Sequence, residues 1–361
     1  MTSALADSTP RRLVAGVAVV LLSALLAACG GSDGSSGGTS ETAAAGPEPA
    51  EVSIALDWTP NTNHIGIYVA DRLGYYAEEG LTVRILPYGQ TPAETLVANG
   101  EADFGFSFSN GIAFSRAAGL DVVQVFANIA KQQYLIAYRA DDPDISSPKD
   151  LVGKTYAGFG TPSEESEVAT VIEGDGGSGD FRTVVLDTAA YEAVYGGRAD
   201  FTISAITWEG VEAEVSGKPM KYFDPADYGY PESYSSTIIS SNAWLTANGD
   251  VAQRFLAATQ RGYRHAQDDP DAAAQILLDA NPQTLKNPEV VRRSAELLAA
   301  EGYYGDEAGA IGLIDEGLVT SFYDFLFERQ LLVDADGKPL TEKPDWSQAY
   351  TNAYVPSSSG G

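Results

Sequence analysis

The chain has 361 residues, with 22 Lys and Arg against 50 Asp and Glu and a formal net charge of −28. At roughly 150 residues per domain that length makes room for about two domains. The acidity disfavours both nucleic acid, whose binding rests on neutralising phosphates with Lys and Arg, and a basic, membrane-clinging surface. The single cysteine, Cys29, excludes an intrachain disulfide and a zinc site built on cysteine pairs.

In chain order, Arg11 and Arg12 precede an apolar run from Leu13 to Leu26. It is short for a span of ~30 Å of hydrocarbon and suited to the core of a signal peptide. The following Leu26-Ala27-Ala28-Cys29 resembles the bacterial lipobox. That resemblance implies that residues 1–28 are removed and that Cys29 becomes a lipid-modified N-terminus. Residues 29–50 hold no large apolar side chain after Cys29, so they read as a flexible Gly/Ser-rich tether. The expected location is the cell envelope, lipid-anchored on the outer face of the cytoplasmic membrane.

From Glu51 the pattern becomes one of alternating strands and helices. Val52–Asp57 reads as a strand, Ile65–Leu73 as a helix stopped by Gly74, Thr82–Leu86 as a strand, Pro92–Ala98 as a helix and Ala102–Phe108 as a strand. The pattern restarts with strands at Lys154–Phe159, Arg182–Leu186 and Asp200–Ile206 and helices at Glu164–Ile172, Tyr191–Gly196 and Trp208–Val215. Such alternation favours parallel sheets covered on both faces. Two runs of similar length suggest two lobes, with Tyr134–Arg139 and Ser236–Ser240 carrying the chain across and back. After Asn242 the sequence is almost entirely helical (Val251–Ala266, Asp271–Leu278, Pro288–Ala300, Ile314–Phe327) and ends in a polar tail.

Several motifs weaken on inspection. Gly174–Gly179 fits G-x-G-x-x-G but follows a helix and precedes a strand, the wrong context for a dinucleotide. Asp334-Ala-Asp336-Gly337 begins like a calcium loop but reaches Asp345 where a glutamate belongs, so it reads as a turn. With only His64 and His265, no multi-histidine metal site forms, and no G-x-S-x-G elbow is present.

Aromatic and acidic residues gather instead where strands end, the place where open α/β sheets bind ligands. These are Asp57 and Trp58; Ser107, Ser109 and Asn110; Phe159 with Glu164 and Glu165; Trp208 and Glu209; and Tyr228, Tyr230 and Tyr234 before the return crossing. Rings would stack on a flat ligand while carboxylates accept its amino hydrogens. The same tryptophans also serve as core filling and the same acids as helix caps.

The stretch LDWTPNTNHIGIYVADRLGYYAEEGL, Leu56–Leu81, resembles the opening signature of bacterial binding proteins for thiamine pyrimidine precursors. The likeness continues through EADFGFSFSNGIAFSRAAG, SPKDLVGKTYAGFGTPSEES, RADFTISAITWEGVEAEVSGKP and DYGYPESYSS. It implies a type II periplasmic-binding-protein architecture: two α/β lobes on a two-segment hinge with a helical C-terminal part. Lobe 1 is then 51–136 plus 238–356 and lobe 2 is 137–237. The implied function is a non-enzymatic solute-binding component of an ABC importer. It would deliver a substituted pyrimidine to permease and ATPase subunits, without a cofactor or metal. The residues it carries over are Asp57, Trp58, His64 and Glu209 beside Trp208; Ser107, Asn110, Phe159, Glu164 and Tyr228 complete the expected site.

Relatives often carry a ring four positions before the glutamate, where this chain has Ala205, so Trp208, Phe159 or Tyr228 would supply the second stacking surface. Riboflavin binders share much of the signature and stay open as an alternative. Sulfonate, nitrate or taurine binding is disfavoured, because no Lys or Arg stands among the strand-end motifs. The related synthases need a lysine for pyridoxal phosphate at the position of Ser107, where no Schiff base can form.

Overall fold

A computed structural model describes residues 47–161, 163–305 and 310–356. The expected signal segment, Cys29 and the tether as far as residue 46 lie outside them.

Among the described residues, ten strands make two five-stranded sheets. The first contains β1 (Ala50–Ala55), β2 (Leu81–Leu86), β3 (Phe104–Ser107), β4 (Val123–Ile129) and β10 (Ser236–Ser240), in the order β2-β1-β3-β10-β4. The second contains β5 (Tyr134–Arg139), β6 (Thr155–Gly158), β7 (Arg182–Val185), β8 (Phe201–Ala205) and β9 (Met220–Phe223), in the order β7-β6-β8-β5-β9.

The sheets are mixed rather than parallel. β1 runs parallel to β2 and β3, whereas β10 is antiparallel to both neighbours, with Ile238 opposite Phe106 and Phe126. Likewise β6 is parallel to β7 and β8, and β5 is antiparallel to β8 and β9. In each sheet the antiparallel strand is the one that has just arrived from the other sheet. Tyr134–Arg139 and Ser236–Ser240 are therefore interior strands, not connectors. The chain changes sheet in residues 130–133 and 224–235, so boundaries at 136/137 and 237/238 cut through β5 and β10.

Local chemistry explains the elements that position the cleft. Asn61 Oδ1 accepts the Asn63 N–H at 2.8 Å and caps a single 3₁₀ turn, Thr62–His64, that leads into α1 (Ile65–Arg72). Gly74, at φ +80°, ends that helix in a conformation that a Cβ disfavours. Short helices α2 (Tyr75–Glu78), α3 (Ala93–Ala98) and α4 (Ser109–Ala117) complete the first half, and α5 (Glu164–Gly174), α6 (Ala190–Tyr195) and α7 (Val211–Val215) the second.

The C-terminal helices are α8 (Asn242–Ala247), α9 (Gly249–Asp268), α10 (Pro270–Ala280), α11 (Pro288–Ala300) and α12 (Glu316–Glu328). The buried stripe of α9 includes Ala252, Phe255, Leu256, Thr259, Tyr263 and Ala266. Phe255 stacks on Phe104 of β3 at 4.3 Å, locking the helix to the first sheet. α9 also crosses α1 with almost no gap: a Cβ on Gly262 would stand 2.0 Å from the Gly66 carbonyl oxygen. The polar tail covers the edge strand, since Gln124 N–H donates to Ala349 and Thr351 N–H donates to Gln124. Asp334 Oδ1 accepts the N–H groups of Asp336 and Lys338, which makes that segment a turn, as expected.

Candidate functional site

A cavity of about 360 Å3 is lined from both sheets and both crossing segments. At the end of β1, Leu56 N–H donates to Leu86, and the next two residues, Asp57 and Trp58, face the cavity. His64 lies behind Asp57. Its Nδ1 accepts the Asn61 N–H at 3.2 Å, so the ring proton sits on Nε2 and is donated to Asp57 Oδ1 at 2.8 Å. Trp58 lies 5.3 Å from Tyr88 and 6.3 Å, edge-on, from Phe159, which in turn lies 5.2 Å from Tyr191. Four rings thus form a continuous wall that begins on the first sheet and ends on the second.

The far wall rests on an irregular turn. Ile206–Gly210 closes as a single π turn after β8, a geometry common at functional sites. It sets both Trp208 and Glu209 against the cavity, while Ile206 and Trp208 also rest on the core of the first sheet. Glu209 is buried, and its Oε2 accepts the Ala205 N–H at 3.2 Å. Burial pushes its pKa up to about 8. Beside the small Ala205, Tyr134 and Tyr191 line the cavity close enough to Glu209 to feel its charge. The space left by the absent ring is bordered by these two tyrosines.

Three further carboxyls line the cavity beyond the expected residues: Asp187, Glu94 and Glu167. Glu94, on α3, accepts a short hydrogen bond from Ser107, and burial raises its pKa. Glu167, on α5, is pushed up to about 8 by burial, reinforced by the nearby charge of Glu164. A signal for the last two existed: each acid falls on the buried stripe of its helix, Glu94 with Ala93 and Val97, and Glu167 with Val168 and Val171.

Of the expected residues, Asp57, Trp58, Asn110, Phe159, Glu164, Trp208 and Glu209 line the one cavity. Three do not. His64 is fully buried and its polar atoms serve the α1 entry and Asp57. Ser107 is likewise buried, with its hydroxyl on Glu94. Tyr228 packs edge-on against Phe223 at 6.3 Å, in the turn Pro225–Tyr228, because α5 closes against that turn at Gly174. Tyr230 and Tyr234, from the same crossing, reach the cavity instead. Glu164 borders the cavity but is committed to its own loop. Its Oε2 accepts from the Tyr156 hydroxyl and the Phe159 N–H, and its Oε1 from the Thr161 N–H, at 2.8–2.9 Å.

Among the described lining residues the carboxyl side chains are Asp57, Glu94, Glu164, Glu167, Asp187 and Glu209, and Lys, Arg and His contribute nothing. Of these, Glu167 and Glu209, pushed up to about 8 by burial, can each donate one hydrogen bond and accept another, a pattern complementary to an amino-substituted ring-nitrogen heterocycle.

Residues 61–273, more than half of the chain, match the family model described as NMT1/THI5 like. The chain belongs to that family. It is 34% identical over 232 residues to a formylaminopyrimidine-binding protein of Halalkalibacterium halodurans, covering 63% of this chain and 69% of that one. A 4-amino-5-hydroxymethyl-2-methylpyrimidine phosphate synthase of Legionella pneumophila is 28% identical, with 85% of this chain and 93% of that one covered. The riboflavin-binding protein RibY of Chloroflexus aurantiacus is 25% identical, with 97% and 99% covered. Among solved structures, the alkanesulfonate-binding protein SsuA from Xanthomonas axonopodis superposes with a TM-score of 0.59 at 16% identity, over 80% of this chain and 96% of that one. That likeness shows a periplasmic-binding-protein-like fold, consistent with two α/β lobes around a cleft.

Proposed function

We propose that this member of the NMT1/THI5-like family is the solute-binding component of an ABC importer and captures a thiamine pyrimidine precursor. The observation that carries the reading is the cleft itself: a wall of four rings, buried acids, and no basic side chain among its described lining residues. A flat amino-heterocycle stacks on the rings and hydrogen-bonds to Asp57 and Glu209. Sulfonate, nitrate or phosphate would enter a site with no cation to hold it. Delivery follows from closure: ligand shifts the two lobes toward a closed form, which permease and ATPase subunits read. The protein works on the outer face of the cytoplasmic membrane, held by a lipid on Cys29.

A synthase-type reaction is disfavoured by the donor set. Ser107 stands where the resemblance places the lysine for pyridoxal phosphate, and its hydroxyl is buried on Glu94. The described lining therefore does not fit that cofactor.

Isothermal titration of the full chain with hydroxymethylpyrimidine, formylaminopyrimidine, thiamine, riboflavin and taurine tests the proposal. Binding of either pyrimidine, with taurine inert, is the expected result; taurine binding alone, or no binding of any pyrimidine, overturns it. A flavin is the second reading, favoured by the nearly full-length match to RibY. Riboflavin bound in preference to the pyrimidines would establish it.

A further inference from the structure

Building on the pyrimidine reading of the cleft, we infer that Gln133 is a positioning residue: it joins the Thr62–His64 turn behind Asp57 to the Ile206–Gly210 turn that bears Trp208 and Glu209, so that the two walls of the cleft are set as one unit. Gln133 is the last residue before β5, where the chain passes from the first sheet to the second. It is fully buried and does not line the cavity.

Each of its polar groups is engaged, in three different parts of the fold. The backbone N–H donates to Ser235 Oγ at 2.8 Å, at the end of the return crossing. The backbone carbonyl accepts the Ile206 N–H at 2.9 Å, and Oε1 accepts a short hydrogen bond from the Thr207 hydroxyl, so the π turn is gripped twice. Nε2 donates to Asn63 Oδ1 at 3.3 Å. The Tyr134 phenol, which lines the cavity, is a further hydrogen-bond partner of the same side chain.

Only an amide satisfies this set, because one end must accept from a hydroxyl while the other donates to a carbonyl oxygen. With Oε1 taken by Thr207, the planar group has one orientation left, and it aims Nε2 at Asn63. Asn63 is itself fixed: its backbone carbonyl accepts from the Asn128 amide at 2.9 Å and the Tyr263 hydroxyl at 2.6 Å. Its chain neighbour His64 donates to Asp57 at 2.8 Å. A continuous path therefore runs from Thr207 through Gln133, Asn63 and His64 to Asp57, entirely behind the ligand surface. Such contiguous buried networks carry coupling between distant groups. A residue where the chain crosses also moves least when two lobes rotate, so it keeps its hold on both. Thr207 is fully buried and, like Gln133, stands outside the cavity lining, so removing either changes how the walls meet and takes away no ligand contact.

Hydrogen exchange on the ligand-free full chain is the first test, with thermal melts to confirm folding. Thr207→Val should speed exchange about tenfold, the scale of one hydrogen bond, in peptides covering 206–210 and also 62–65, while Thr207→Ser, which keeps the hydroxyl, stays close to wild type. Faster exchange confined to 206–210, or spread evenly over the chain, would make the link a local or a general structural contact and overturn the inference. Calorimetric titration with hydroxymethylpyrimidine reads the consequence for binding. Thr207→Val and Gln133→Met should each weaken affinity about fivefold, and the double variant should lose no more than Gln133→Met alone, because both break one link. Additive losses, or unchanged affinity in both single variants, also overturn it. A wild-type chain that binds no pyrimidine overturns the proposed function instead, and the exchange experiment still decides whether Gln133 joins the two turns.

Discussion

The side-chain amide of Asn110, at the start of α4, donates to Ser163 Oγ across the cleft at 2.8 Å. Its own carbonyl accepts the Gly111 N–H at 2.9 Å, so the amide orientation is fixed from within the first lobe while its donor reaches the second. This bridge and the Trp58–Phe159 ring contact join the two faces of the cavity directly. Asn110→Ala should therefore leave the fold intact but speed ligand release and weaken affinity about five- to tenfold, the scale of one hydrogen bond. Stopped-flow fluorescence on the cleft tryptophans checks it, and an unchanged off-rate would remove the bridge from the closing mechanism.

Asp57 and Trp58 carry the ligand in the proposed function. Asp57→Asn and Trp58→Ala should each weaken pyrimidine binding by about 1–3 kcal/mol, the range of a charged hydrogen bond or a base–ring stack. Unchanged affinity in both variants would place the ligand elsewhere.

His64 acts through Asp57. Replacing it by Phe removes the donor to a partly buried carboxylate and leaves the Asn61 N–H without its acceptor. The expected cost is about 1–3 kcal/mol of stability, accompanied by weaker ligand binding. Denaturant unfolding and calorimetry on the same variant separate the two effects; a stability loss with unchanged ligand binding would contradict a positioning role.

The carboxyls of Glu167 and Glu209 are pushed from the ordinary 4.5 to about 8 by burial. Between those limits the folded chain retains protons that the unfolded chain has released, so stability is greatest below about pH 4.5 on this account and declines as pH rises through about 8. The melting temperature of the ligand-free protein should fall from pH 5 to pH 8 on this contribution. The double substitution Glu167→Gln, Glu209→Gln should flatten that slope, and parallel slopes for the two proteins would show that neither group titrates in this way.

The α1–α9 crossing tolerates no added carbon. Gly262→Ala would set a methyl 2.0 Å from the Gly66 carbonyl oxygen, and backbone is the obstacle. A loss of about 1–3 kcal/mol in chemical denaturation is expected. Because the Tyr263 hydroxyl and the Asn128 amide both hold the Asn63 carbonyl, the same variant should also loosen the turn behind Asp57.

Some of the sequence was transparent and some was not, for identifiable reasons. α11 runs over Pro288–Ala300, as its amphipathic pattern indicates, and α1 stops before Gly74 as expected. By contrast β4, VQVFANI, is buried along its whole length and carries Gln124 and Asn128 inside, so no alternation announces it. Local pattern does not reveal β10 as an interior strand, because the partners that make it one lie more than a hundred residues away in the chain.

The sequence by itself determined most of the succession of strands and helices, though not β4 or β9, together with the two-fold repeat of the α/β pattern and the clustering of acids and rings at strand ends. These are properties of nearest neighbours and of helical or strand period. Only the tertiary structure decided which of those side chains meet. It turned His64, Ser107 and Tyr228 away from the cavity, brought in Glu94, Glu167, Tyr134 and Tyr191, and bound Glu164 to its own loop. The reason is physical: local period fixes which face of an element is buried, but whether that face meets a core or a cleft depends on chain segments distant in sequence.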